Sequence, residues 1–334
     1  MKRSPLLLFG LLCLATTFSA AQTSTYKYFR VGNSQDVTTK PTAGYALMGG
    51  GTDLDEAFKF LCAKAPGGDF LVVRAAGGDD YNPYVKDLCK MNSVATLLIP
   101  SREAANDPKV KEIIGQAEAV FIAGGDQARY INWWQNSPVQ DALNAHIAAG
   151  KPIGGTSAGL AVLGEFIYSS QGDAPDDADL TSKLALANPF MSRVTVRKDF
   201  LKIDLLRNTL TDSHFAKRDR MGRTLTFLSR IVQDGWSENP REIAIDEKSA
   251  VLLEPDGKAR VIGSGKGAYF LSVKEKPAVC KEGTPLTFHN IAVYHGPTGA
   301  TFDVKSWSGE GGAAYLLSVE NGVVSNTQNG GKIY

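Results

Sequence analysis

The sequence predicts an α/β protein, a three-layer α/β/α sandwich built around a mostly parallel sheet, with extra β strands toward the C-terminus. Two patterns carry that expectation. From Tyr45 onward, short β-branched or apolar runs alternate with longer amphipathic ones, as happens when crossover helices link parallel strands. Glycine groups punctuate the ends of these runs, at Gly49-Gly50-Gly51, Gly77-Gly78, Gly124-Gly125 and Gly154-Gly155, where the carboxyl ends of such strands open into a binding crevice. The composition permits a large core, because 43% of the 334 residues are hydrophobic and only 21% charged.

Residues 1–21 read as an address. Lys2 and Arg3 precede the apolar run Leu6 to Ala15, and the small residues Ser19, Ala20 and Ala21 follow, the layout of a secretory signal peptide cut after Ala21. The apolar run is too short for a membrane span, which needs about 20 residues. Its removal leaves 34 basic against 35 acidic side chains, a balance that excludes a whole-surface field for nucleic acid or anionic membrane. The expected location is secreted or periplasmic.

An N-terminal extension (22–43) leads into the domain expected over 44–308. Strands are predicted at Tyr45 to Met48, Phe70 to Arg74, Ala95 to Pro100, Ala119 to Ala123 and Pro152 to Gly155. Helices are predicted between them at Leu54 to Ala63, Pro83 to Met91, Pro108 to Ala117 and Pro138 to Ala149, and another at Leu160 to Phe166. The acidic stretch from Ser169 to Asp179 reads as a solvated surface loop. A helix follows Arg218 as far as about Val232. Strands then come at Glu242 to Asp246, Ala250 to Glu254, Ala259 to Ile262, Ala268 to Val273 and Leu286 to Tyr294, and the glycine-rich tail (309–334) reads as peripheral.

Cys13 leaves with the signal, so three cysteines remain, and whether Cys62 and Cys89 bridge two early helices is a matter of geometry. No cysteine pair has metal-ligand spacing and the four histidines are scattered, so neither a metal nor a cofactor is expected.

The chemistry concentrates at Gly155-Thr156-Ser157-Ala158-Gly159, where a strand turns into a helix and presents Ser157 on a tight elbow. The peptide N–H of Ala158 there can help stabilise an oxyanion. A serine nucleophile needs a base. His146 falls inside an amphipathic helix, and His289 and His295 fall in or beside a late strand. His214, in the polar segment Thr211-Asp212-Ser213-His214-Phe215, is the best base. Arg218, Arg220 and Arg223 follow it, and three guanidinium groups beside a base suggest carboxylate recognition. The acid that orients the imidazole is Glu247, with Asp246 and Asp212 as rivals.

Together these motifs resemble the cyanophycinase branch of the S51 serine peptidases, whose other branch is peptidase E, an aspartyl dipeptidase. The resemblance rests on Gly124-Gly125-Asp126-Gln127, on Gly154 through Gly159, on Asp212-Ser213-His214-Phe215 with Arg218, Arg220 and Arg223 at their spacing, and on Ile245-Asp246-Glu247. It implies a class I glutamine amidotransferase-like, flavodoxin-type sandwich and the triad order Ser157, His214, Glu247. It also implies hydrolysis of cyanophycin, a poly-aspartate backbone with arginine on each β-carboxyl, to β-aspartyl-arginine. Arg218, Arg220 and Arg223 would hold the substrate's carboxylates, while Asp212 and Gln127 would engage its polar groups. The oxyanion would lie between the N–H groups of Ala158 and Gly125, with Gly50 as the alternative. A homodimer is what the resemblance suggests, with a peptide substrate as the other partner. Two other readings are an aspartyl or isoaspartyl dipeptidase of the same superfamily and a catalytically inactive exported peptide-binding protein.

Overall fold

The computed structural model describes residues 24–174 and 179–334, so the expected signal peptide lies outside the described residues. The first half contributes β1 (Lys27–Gly32), β2 (Tyr45–Met48), β3 (Asp69–Arg74), β4 (Ser93–Leu98), β5 (Ala119–Ile122) and β6 (Ile153–Thr156). Interleaved with them are α1 (Asp55–Lys64), α2 (Tyr81–Leu88), α3 (Arg102–Ala105), α4 (Pro108–Gln116), α5 (Gln127–Trp134) and α6 (Pro138–Ala148). Strands β4, β3, β5, β6 and β2 lie side by side and parallel. They are buried along their length, as strands covered on both faces must be. Alternate residues serve opposite layers. Ala46, Val72 and Phe121 meet Phe58 and Leu61 of α1 and Val85 of α2 on one face, while Leu47, Leu71, Val73 and Ile122 meet Val110 and Ile114 of α4 and Leu143 of α6 on the other. Local signals start the helices. Asp107, Asp126 and Ser137 cap α4, α5 and α6 through their side chains, and Pro108 and Pro138 occupy the first turns of α4 and α6. Cys62 of α1 and Cys89 at the end of α2 form a disulfide, whereas Cys280 is free and buried.

The second half begins with α7 (Ala158–Ala161), β7 (Phe166–Tyr168), α8 (Ser182–Ala187), β8 (Val196–Lys198), β9 (Thr209–Asp212), α9 (Met221–Gln233) and β10 (Arg241–Ile245). It continues with β11 (Ser249–Leu253), β12 (Lys258–Gly263), β13 (Ala268–Ser272), β14 (Phe288–Gly296), β15 (Thr301–Asp303), β16 (Ser308–Glu310), β17 (Ala313–Glu320) and β18 (Val323–Asn326). Strands β11, β12, β15 and β16 extend the first sheet beyond β2, every pairing antiparallel. The others form a second sheet in the order β18-β17-β14-β13-β10-β9-β7-β8. One face of it shares the first sheet's core through Ile243, Ile245 and Phe270. The opposite face is covered by Leu225 and Leu228 of α9 and Leu186 of α8.

Four expectations are corrected here. The sheets are mixed and not mostly parallel, because after β10 the strands follow one another too closely for the crossovers that parallel pairs require. The helix expected from Leu160 to Phe166 is only the single turn α7. Gly164 packs so tightly on β9 that a Cβ there would lie 2.6 Å from the Thr209 carbonyl, and the chain leaves the helix and enters β7. The tail is not peripheral. In β17, Tyr315, Leu317 and Val319 are buried, and the strand pairs with β14 and β18. The terminal Tyr334 hydroxyl accepts from Met221 N (2.7 Å) and donates to Asp219 (3.0 Å), which caps the start of α9. Finally, the acidic loop is not a mere solvated excursion, since Asp173 and Asp179 line the cavity at Ser157; residues 175–178 lie outside the described residues.

Candidate active site

Ser157 stands between β6 and α7 with φ 54° and ψ −117°, a backbone state that non-glycine residues adopt only when their surroundings impose it. Glycines impose it here. A Cβ on Gly155 would lie 2.5 Å from the Gly159 carbonyl group, and one on Gly159 would lie 2.0 Å from the Ile122 oxygen. Only hydrogen at both positions lets the turn fold back onto β5 and β6. Ser157 N donates to Met48 O at the end of β2 (3.2 Å), which fixes the elbow at the carboxyl edge of the sheet.

The residues that meet Ser157 come from the other sheet. His214 follows β9 and Glu247 follows β10, and these strands are parallel neighbours with Asp212 opposite Ala244, so both side chains emerge together. The glycine triplet after β2 ties them to the first sheet. His214 N donates to Gly49 O (2.7 Å) and Lys248 N to Gly50 O (3.0 Å). Gly50, at φ +92°, lies flat against the imidazole, where a Cβ would come within 2.6 Å of the ring. The result is one chain of hydrogen bonds, with Ser157 Oγ 2.7 Å from His214 Nε2 and His214 Nδ1 2.7 Å from Glu247 Oε1.

Burial pushes the His214 pKa below the usual imidazole value, and the charges of Arg218 and Arg220 push it further, against the opposing pull of the Glu247 carboxylate. Glu247 is in turn held below the carboxylate range, chiefly by the hydrogen bond from His214. A neutral imidazole with an ionised carboxylate behind it is the state in which His214 can accept the Ser157 proton.

The rival residues are engaged elsewhere. Asp246 accepts from Lys217 N (2.8 Å) and Lys266 N (3.2 Å) and so ties two loops together. His146 is buried in α6 with Nε2 3.0 Å from Pro152 O, and burial brings its pKa down to about 4. His295 stacks on Tyr269, and His289 lies 3.5 Å from Glu320.

The cavity at Ser157 is lined by Gly125, Gln127, Tyr168, Ser170, Asp173, Asp179, His214 and the three arginines. The N–H groups of Gly125 and Ala158 have no acceptor among the described residues. Gly50 does not line this cavity; its place is against the imidazole. Gln127 donates to Ser170 Oγ (3.0 Å). The arginines divide by depth. Arg223 is fully buried under Tyr168 and spends its guanidinium on Asp212, at 3.0 Å from Nε and 2.6 Å from Nη2. Asp212 and Arg223 thus satisfy each other and form the floor. Arg220 also reaches Asp212 (3.3 Å), while its outer nitrogen and Arg218 converge on Asp179. Tyr168, Ser170, Asp173 and Asp179 were missing from the sequence reading. The available signal was an acidic stretch in a chain that also carries three clustered arginines.

A serine on a strand-to-helix elbow, bonded to an imidazole that is bonded to a carboxylate, is the arrangement of a nucleophilic hydrolase. Residues 52–257 match the model of peptidase family S51, and the chain belongs to that family of serine-type peptidases. It is 29% identical over 191 residues to a cyanophycinase of Synechococcus elongatus, covering 57% of this chain and 52% of that one. To a cyanophycinase of Nostoc sp. it is 27% identical over 206 residues, 60% of this chain and 62% of the relative. The matched region therefore spans about half the length of the first of these relatives. Among solved structures, a peptidase from an acI-B1 Actinobacterium aligns with 68% of this chain and 90% of its own, at 17% identity and a TM-score of 0.45.

Proposed function

We propose that this protein is an exported serine peptidase that hydrolyses cyanophycin or related β-aspartyl-linked peptides and releases β-aspartyl-arginine. His214, oriented by Glu247, takes the proton from Ser157 as its oxygen attacks the peptide carbonyl. The oxyanion is held by the N–H groups of Ala158 and Gly125; His214 gives its proton to the leaving amine as the C–N bond breaks, and then takes a proton from the water that hydrolyses the acyl-enzyme and returns it to Ser157. The observation that carries the reading is the unbroken pair of 2.7 Å contacts from Ser157 through His214 to Glu247. The substrate is supported by the names of the relatives and by a cavity lined with both carboxylates and guanidinium groups, as befits a ligand that carries both. Export is supported by the Cys62–Cys89 disulfide, since such bonds persist in oxidising compartments.

The test is mass spectrometry of the products after cyanophycin is incubated with the mature protein and with its Ser157→Ala variant. Release of β-aspartyl-arginine by the wild type alone is expected. Release by the variant at the wild-type rate removes Ser157 from the mechanism. A wild-type protein that takes up a fluorophosphonate at Ser157 but leaves the polymer intact keeps the hydrolase and discards the substrate. Short aspartyl peptides are then next.

A further inference from the structure

Arg220 is only 6% exposed, yet it lines the cavity at Ser157. Its inner nitrogen Nη1 is satisfied by the Ser213 carbonyl (2.8 Å) and by Asp212 (3.3 Å). Its outer nitrogen Nη2 donates to Asp179 Oδ2 (2.8 Å), and the same oxygen accepts from Arg218 Nη1 (2.9 Å). The Nε of Arg220, on the same edge as Nη2, is buried without a partner among the described residues. The Nε and Nη2 edge of a guanidinium is an edge that a carboxylate can grip with two parallel bonds. Asp179 grips half of it. The two acids on this pair of arginines also differ in how firmly they are held: the Asp212 side chain is 3% exposed and locked, whereas that of Asp179 is 48% exposed.

We propose that the Asp179 carboxylate occupies the place of a substrate carboxylate on Arg218 and Arg220, and that it is a specificity-determining residue. This rests on the cavity at Ser157 being the substrate site. A peptide with a free carboxylate must displace Asp179, and in doing so it completes the bidentate grip on Arg220 that Asp179 leaves half made. If both carboxylates remained, like charges would face each other across the same two guanidinium groups. An internal occupant raises a ligand's apparent Kd by the reciprocal of the fraction of time the site is free, so one bound about nine-tenths of the time raises it about tenfold. Asp179 thereby disfavours weakly held carboxylate ligands, and it is also what the released product must outcompete to remain bound.

The test is calorimetric binding of β-aspartyl-arginine and of its diamide to the full chain carrying Ser157→Ala, with and without Asp179→Asn. The expected result is about tenfold tighter binding of the free acid by the Asp179→Asn protein, with the diamide unchanged within twofold. Asp179→Ala should repeat the gain, and circular dichroism melts establish that each variant is folded. Equal or weaker binding of the free acid, equal tightening of the diamide, or no binding of the free acid by either folded protein overturns the proposal. Fluorophosphonate labelling of the chain with Ser157 intact reads the hydrolase assignment separately. A protein that fails to label but shows the tenfold gain loses the triad and keeps the subsite.

Discussion

Replacing Gly50 with alanine should switch the site off without altering any of the three side chains proposed to react. The new Cβ would stand 2.6 Å from Cε1 and Nε2 of His214, against the 3.4 Å at which ordinary contact begins. The ring must therefore retreat by about 0.8 Å. It is tethered on the far side by Glu247 at 2.7 Å and through its own backbone by Gly49 O at 2.7 Å. A retreat of that size takes the ring nitrogen out of line with Ser157 Oγ and lengthens their 2.7 Å contact to at most about 3.5 Å, which weakens the hydrogen bond. Misplacement of a reacting group by about 1 Å costs on the order of 100-fold in rate. Alanine at φ +92° also carries roughly 1–2 kcal/mol of backbone strain, so stability and reactivity must be separated. Gly67 supplies the control, since it has φ +70° and nothing within 4 Å of a Cβ. Gly67→Ala should show a comparable loss in Tm and wild-type reactivity. Gly50→Ala should label with fluorophosphonate, and release β-aspartyl-arginine, about 100-fold more slowly. If folded Gly50→Ala protein reacts within twofold of wild type, the imidazole is not held where this reasoning places it.

Four further outcomes are expected. Because burial and the neighbouring arginines lower the His214 pKa, kcat/KM should rise with pH through a single limb lying below about 6.5 and stay flat above it. Glu247→Gln removes the one strong influence raising that pKa, so its limb should move to lower pH while the rate falls by up to about 10⁴-fold; a limb that moves up contradicts the assigned partner. Asp212→Asn strips the buried Arg223 and Arg220 of their shared anion and should cost about 3–5 kcal/mol in urea unfolding, whereas an unchanged midpoint would show that the pair is dispensable. Reducing the Cys62–Cys89 bridge, whose cysteines lie 27 residues apart, should remove about 3.5 kcal/mol by loop-closure entropy, and a urea midpoint indifferent to reductant would argue against the bond.

Legibility differed from region to region for identifiable reasons. Between Tyr45 and Gly155 the strands and the helices α1, α2, α4 and α6 were readable because continuous apolar runs and the Asp-Pro and Ser-Pro caps are properties of adjacent residues, whereas α3 and α5 were not read. In the second half only β10 to β14 were read as strands, and not as parts of two sheets, since the choice of β2 as neighbour for β11, and of β9 for β10, depends on which edge is free. Among the acids, residue type alone left Glu247, Asp246 and Asp212 open. They separate by what surrounds them: peptide N–H groups take Asp246, arginines take Asp212, and the imidazole reaches Glu247. The arginines looked equivalent as a cluster after His214 until depth divided them into the buried Arg223 and the outward Arg218.

The amino-acid sequence by itself determined the elbow at Ser157, because its demands are local: glycine on either side, a strand before and a helical turn after. It also determined that a histidine with three arginines would stand near an acid. Tertiary structure alone decided that these are one site. His214 lies 57 residues beyond Ser157 and Glu247 a further 33, and they meet because two sheets bring their carboxyl ends together across Gly49-Gly50-Gly51. It also decided that Asp179 meets Arg218 and Arg220. Contacts of that range depend on how two separately formed sheets pack, and no window of sequence contains both sides.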